Sequence, residues 1–147
     1  MIQSLKTFEE YVKKKTVRKQ SPDIQRASSL IKESDEKREL FLKILKILPK
    51  NEIKPNFIIE NVYDILIELL RSKLLKNGFN AGNSHEAEVS YMRNLKFPEE
   101  EVQFMNQLRY HRNGIKYYGK IFNEEYAVKV LEFLKSIQPR LIKMLSS

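Results

Sequence analysis

The segment Pro55–Lys76 constrains the fold most, because its apolar residues cover more than one face of a helix. A helix that is apolar on several faces is buried and contacted from two sides, so we expect a central helix here. Its apolar residues are Ile58, Ile59, Val62, Ile65, Leu66, Leu69 and Leu70. No segment of the chain alternates polar and apolar residues at period two, so the sequence predicts an all-α fold.

Helical spacing, caps and breaks predict further helices around the central one. Ser21 as the cap and Pro22 at the first helical position begin a long helix to about Leu48, whose charged middle, residues 32–39, either projects or bends. Pro139 is expected to kink the last helix and end its regular part. The other expected helices are residues 2–14, a short one capped by Ser84, residues 99–118 and residues 124–145. The fold class is a single all-α domain over residues 1–147, an up-and-down bundle of five or six helices.

Two polar segments are expected to connect these helices. Residues 16–20 form a polar connection, and residues 1–20 together form an N-terminal helix and basic arm that either tracks phosphate or is solvated. Residues 76–83 form a loop rich in Gly and Asn. This loop is neither a Walker loop nor a Rossmann turn, because no Gly-Lys-Ser/Thr follows it and no strand is expected before it.

The composition favours anionic partners. The chain has 147 residues with a net charge of +8 and a pI of about 9.6, and a basic surplus of this kind attracts nucleic acid and other anions. It has no Cys, which excludes disulfides and Cys-ligated zinc. No apolar run is long enough to span a membrane, and the first residues have no apolar core of a signal peptide. We therefore expect a cytoplasmic protein with no membrane partner.

Residues 108–120 concentrate the charged and aromatic side chains that could bind an anion. They contain four cationic side chains, one His and three Tyr, with no carboxylate between residues 103 and 121. Arg112 follows Leu108 by four residues, so it lies on the apolar face of a helix, where a guanidinium needs an anionic or hydrogen-bonding partner. That partner is an internal carboxylate (Glu60 or Glu68), a bound phosphate, or a second copy of the chain.

A longer pattern in the same residues resembles the HEPN superfamily. The pattern Leu-Arg-x-x-Arg-Asn-x-x-x-(His/Tyr)-x-Gly comprises Leu108, Arg109, Arg112, Asn113, Tyr117 and Gly119. In active HEPN proteins, the second Arg of the pattern and a following His cleave RNA without a metal at a dimer interface. The resemblance implies an all-α bundle that forms a two-fold homodimer, with no metal or other cofactor. The step His85-Glu86-Ala87 matches small archaeal-type members and implies a structural latch, with a site role left open.

Three functions are consistent with this resemblance. The favoured one is RNA or nucleotide binding without efficient cleavage, because Tyr117 stands where active members have His and a Tyr hydroxyl is a poor base at pH 7. The alternatives are a metal-independent ribonuclease of the toxin–antitoxin type, and a helical partner or substrate of a minimal nucleotidyltransferase, modified on Tyr117 or Tyr118.

The residues expected to carry these functions fall into three groups. The candidate catalytic residues are Arg112, Asn113 and Tyr117. The candidate nucleotide- or RNA-binding residues are Arg109, His111, Lys116, Tyr118 and Lys120. The candidate supporting residues are Glu68, His85 and Glu86. We expect the first two groups to act together at the groove between two copies of the chain.

Overall fold

The computed structural model describes residue 2 and residues 4–146, and in them the chain forms six α-helices and one short antiparallel sheet. The helices are α1 (Phe8–Lys13), α2 (Ile24–Ile47), α3 (Pro55–Lys76), α4 (His85–Asn94), α5 (Glu99–Tyr118) and α6 (Glu124–Leu145). The strands are β1 (Arg18–Lys19) and β2 (Phe79–Asn80), and a single 3-10 turn (Lys50–Glu52) precedes α3. The described chain is 74% helical, which confirms the predicted all-α bundle.

Helix α3 lies at the centre of the bundle, as its sequence predicts. It packs against α2, α4, α5 and α6. Its apolar side chains are almost completely buried, and Ile59, Val62, Ile65, Leu66 and Leu69 are all 0% exposed. Each such side chain stabilises the fold by about 1.5–3 kcal/mol relative to an exposed position. The central helix therefore supplies a large part of the core.

Helix α1 is shorter than predicted. It begins at Phe8, because the Oγ1 atom of Thr7 accepts a hydrogen bond from the backbone N–H of Glu10 at 3.2 Å and caps the helix there. The expectation of helix at residue 2 and over residues 4–7 is therefore wrong, and residue 3 of that prediction lies outside the described residues. Phe8 and Tyr11 are buried in a second, smaller apolar cluster beside α4.

Residues 16–20 are not only a polar connection. Arg18 pairs with Asn80 and Lys19 with Phe79 in an antiparallel ladder. The ladder continues at Gln20, whose N–H donates to the carbonyl of Gly78 at 2.9 Å. Gly78 has a φ of +84°, and a Cβ there would lie 2.8 Å from the carbonyl oxygen of Gln20. Only glycine allows the two backbones to approach this closely. The hydrogen bond anchors the backbone of the basic arm to the loop before α4.

Three predicted helix features differ in the structure. Asp23, rather than Ser21, caps α2, since its Oδ1 accepts from the N–H of Arg26 at 3.1 Å. The charged middle of α2 does not project from the bundle, because Ser34 is buried there and donates to the carbonyl of Ile65 at 2.8 Å, and the helix is continuous from Ile24 to Ile47. Helix α6 continues past Pro139 to Leu145.

No helix among the described residues combines the length and the apolar character needed to cross a membrane.

Candidate functional site

A cleft of about 390 Å³ lies between the N-terminus of α4 and the C-terminal half of α5, and we call it the basic cleft. It is lined by Asn83, Ser84, His85, Glu86, Arg109, Arg112, Asn113, Lys116 and Tyr117. Its three cations follow one another at intervals of three and four residues along α5, which places them on one face of that helix. The fold brings this face against the N-terminus of α4, where the helix dipole is positive.

Arg112 lies at the boundary between the core and the basic cleft. Its side chain is 14% exposed, its Nη2 lies 3.3 Å from Oδ1 of Asp64, and its guanidinium lies 5.4 Å from the centre of the Tyr63 ring. The predicted pairing with Glu68 is wrong, because Glu68 pairs with Lys37 instead. Glu60 has no ion pair among the described residues. Arg112 is therefore partly neutralised by its own chain and still opens into a cleft.

The other two cations of the basic cleft differ in how firmly they are held. The Nε atom of Arg109 donates to Oδ1 of Asn106 at 3.1 Å, and its Nη1 lies 3.7 Å from Oε1 of Glu86. Lys116 is exposed and has no carboxylate partner within the described part of the chain. The three cations of the cleft are neutralised in part by two carboxylates, those of Asp64 and Glu86. The side chains therefore have a net charge of one positive unit. The cleft can therefore attract an anion without being saturated by internal acids.

His85 joins the basic cleft to a buried polar network that extends from α4 to α3. Its Nδ1 lies 2.8 Å from Oη of Tyr63, and its Nε2 lies 3.4 Å from Nη2 of Arg71. Because Arg71 can only donate, the network assigns the proton to Nδ1, which then donates to Tyr63. Arg71 in turn donates to both carboxylate oxygens of Glu88, at 2.6 and 3.0 Å. Glu88 is only 1% exposed.

Burial and nearby positive charge keep the His85 side chain uncharged. Desolvation first, and then the cations Arg71, Arg112, Arg109 and Lys116, lower the pKa of His85 from 6.5 to about 4. Burial raises the pKa of Tyr63. Both groups are therefore neutral at pH 7, and the positive charge of the cleft comes from the Arg and Lys side chains alone.

The remaining predicted binding residues lie in a second cleft beside the first. This aromatic pocket has a volume of about 490 Å³ and is lined by Tyr110, His111, Asn113, Gly114, Tyr117, Tyr118, Lys120 and Phe122. Asn113 and Tyr117 line both clefts. His111 packs against the rings of Phe122 and Tyr126, at centroid distances of 4.7 and 4.9 Å, and burial lowers its pKa.

The structure thus divides the predicted site residues into three places. Arg109, Arg112, Lys116, His85 and Glu86 line the basic cleft. Those found only in the aromatic pocket are His111, Tyr118 and Lys120. Glu68 lines neither cleft. Three charged neighbours of the site, Asp64, Arg71 and Glu88, were not identified from the sequence. The signal that could have identified them is a charged residue on an otherwise apolar face of a helix.

Comparisons with protein-family models, curated proteins and solved structures return no match to this chain. Within the described residues, no group of three or more His, Asp and Glu side chains is arranged to hold a metal ion. We therefore infer function from the two adjacent clefts and from the motif residues that line them.

Proposed function

We propose that this chain is a HEPN-like protein that binds RNA or nucleotides and does not cleave them efficiently. The observation that carries the proposal is the convergence of Arg109, Arg112 and Lys116 on one cleft at the N-terminus of α4. Arg side chains present planar forks of N–H donors that match phosphate oxygens, and Lys adds a mobile positive charge. A phosphate in this cleft would be met by three cations from a single helix face.

The N-terminus of α4 supports the same ligand. Ser84 caps the helix by accepting a hydrogen bond from the N–H of Ala87 at 3.2 Å, and its O–H group remains able to donate. The first backbone N–H groups of a helix have no intrahelical partner and carry partial positive charge. Helix N-termini bind phosphate for this reason. Here that end faces the cationic side of α5 across the basic cleft.

The proposed lack of efficient cleavage is supported by the only His in the basic cleft. His85 has both ring nitrogens in hydrogen-bond contact, and its pKa of about 4 makes it a weak general base at pH 7. RNA incubated with a chelator should therefore remain intact beside the wild-type protein. Cleavage by the wild type that the Arg112→Ala variant abolishes would instead favour the ribonuclease alternative.

Binding is tested by fluorescence anisotropy with a labelled single-stranded RNA at several salt concentrations. Lys116→Ala should weaken binding several-fold and reduce the salt slope by about 0.7, the value for one phosphate contact to a single strand. Lys135→Ala removes the same charge from an exposed position on α6 that lines neither cleft, and serves as the matched control. The proposal would be contradicted if both substitutions changed the RNA affinity equally, or if the affinity did not depend on the salt concentration.

A two-fold dimer is part of the proposal, with the basic clefts of two copies facing one groove. It is supported by the apolar side chain of Ile121, which lies beside the aromatic pocket without lining it and is 88% exposed. Covering such side chains favours association. Sedimentation at the concentrations used for binding should give a dimer. A monomer that still binds RNA would contradict the dimer and leave the binding proposal standing.

A second candidate function is that of a substrate for a nucleotidyltransferase. It is favoured by the exposure of Tyr117 (63%) and Tyr118 (79%), whose hydroxyls are accessible acceptors at the end of α5. Coexpression with a transferase encoded beside this chain should add one nucleotide mass to a tyrosine. Tyr117→Phe and Tyr118→Phe variants would identify the acceptor. An unchanged mass in the wild-type chain would exclude this candidate.

A further inference from the structure

The aromatic pocket and the basic cleft lie side by side and share a wall. Asn113 and Tyr117 belong to the linings of both, and each residue comes from the last two turns of α5. On the other side of this wall from the cations, the pocket offers the rings of Tyr110, Tyr118 and Phe122. A ligand with an anionic group and an attached flat ring could therefore occupy both clefts at once.

The contents of the aromatic pocket suit a flat heteroaromatic ring. Tyr118 is 79% exposed and makes no hydrogen bond among the described side chains, so one of its ring faces is open to a ligand. Base–aromatic stacking of this kind tolerates any nucleobase, because every base has a π-face. The pocket volume of about 490 Å³ falls within the range of about 300–1,000 Å³ that is usual for small-molecule sites.

Asn113 supplies a hydrogen-bonding group between the two clefts. Its side-chain amide has no hydrogen-bond partner within the part of the chain that the structure describes, although the residue is half-buried. An amide offers two N–H donors and one carbonyl acceptor. The edge of a nucleobase or a ribose hydroxyl presents complementary groups, so this position can orient the ring relative to the phosphate.

We infer that the aromatic pocket receives an unstacked nucleobase whose phosphate lies in the basic cleft, so that the ligand is single-stranded RNA rather than a duplex. This inference rests on the proposed phosphate binding. Bases within a duplex are stacked and paired, and they cannot enter a side pocket without being extruded. A single strand presents base and phosphate separately, as the two clefts require.

The test compares three ligands built on the same six-nucleotide strand at one salt concentration. They are a labelled single-stranded RNA hexamer, its abasic ribose-phosphate counterpart, and a duplex of the hexamer. The hexamer should bind roughly 5- to 150-fold more tightly than the abasic strand, because stacking contributes about 1–3 kcal/mol per base. Tyr118→Ala should remove this difference, and Tyr118→Phe should keep it, because the ring and not the hydroxyl stacks.

The outcomes separate this inference from the proposed function. If the abasic strand or the duplex binds the wild type as tightly as the hexamer, the base pocket is wrong while phosphate binding stands. If none of the three ligands binds, the proposed function fails as well. Lys116→Ala should weaken binding of the hexamer and of the abasic strand by the same factor, since Lys116 lines the basic cleft and does not line the aromatic pocket.

Discussion

Acidification should destabilise this protein through the half-buried, neutral His85. In the folded chain its pKa is lowered from 6.5 to about 4 by burial and by four neighbouring cations. The unfolded chain therefore takes up a proton on this residue at a higher pH than the folded chain does. The stability that His85 contributes is fully present above about pH 6.5 and is lost as the pH falls through about 4.

The magnitude follows from the two pKa values. Between pH 7.5 and pH 4.5 the linkage relation gives a loss of roughly 2.5 kcal/mol in the free energy of unfolding, which solvent screening at this half-buried ring reduces to about 2 kcal/mol. His85 also stabilises the fold through a hydrogen bond, because its Nδ1 lies 2.8 Å from Oη of Tyr63. A His85→Gln variant removes the titrating group and should cost about 1 kcal/mol at pH 7.5 through that hydrogen bond.

Urea unfolding of both proteins at the two pH values measures the effect. Carboxylates and His111 titrate in both proteins, so their contributions cancel in the difference between wild type and variant. The wild type should lose about 2 kcal/mol more than His85→Gln on acidification. Equal losses in the two proteins would refute the assignment of His85 as a neutral, half-buried group. A ring proton of His85 that titrates near pH 6.5 would refute it independently.

Three further substitutions test other contacts. Glu88→Ala should lower the free energy of unfolding in urea by about 3–5 kcal/mol, because it leaves a mostly buried guanidinium unpaired, and the double variant Arg71→Met with Glu88→Leu should recover most of that loss. Gly78→Ala should lower the thermal midpoint more than Gly82→Ala, since both have positive φ but only the Cβ at residue 78 meets a backbone oxygen, at 2.8 Å. Asp64→Asn should strengthen RNA binding in anisotropy by up to about fivefold, because it removes a carboxylate that competes for the cleft.

The helices that carry strong local signals were predictable from the sequence. Pro55 begins α3, and Asn123 caps α6 by accepting from the N–H of Tyr126 at 2.9 Å. Gly119 ends α5 with a φ of 63°, which favours glycine. The two-residue strands were not predictable, because a period of two cannot be read from two residues, and their pairing depends on Gly78, about sixty residues farther along the chain.

The site was predictable only along one helix. The spacing of Arg109, Arg112 and Lys116 places them on one face of α5, and the structure agrees. His111 follows Arg109 by two residues, which corresponds to about 200° around a helix, so it lines only the other cleft. The position of His85 in the basic cleft depends on how α4 packs against α5. No local sequence pattern encodes that packing.

The connection between α5 and α6 is held by one amide at the start of α3. The Nδ2 atom of Asn56 donates to the carbonyl of Lys120 at 2.8 Å, and its Oδ1 accepts from the N–H of Phe122 at 3.0 Å. Lys120 and Phe122 both line the aromatic pocket. This wall of the pocket is therefore preorganised by the first turn of α3, and a ligand that enters does not have to order a loop, which lowers the entropic cost of binding.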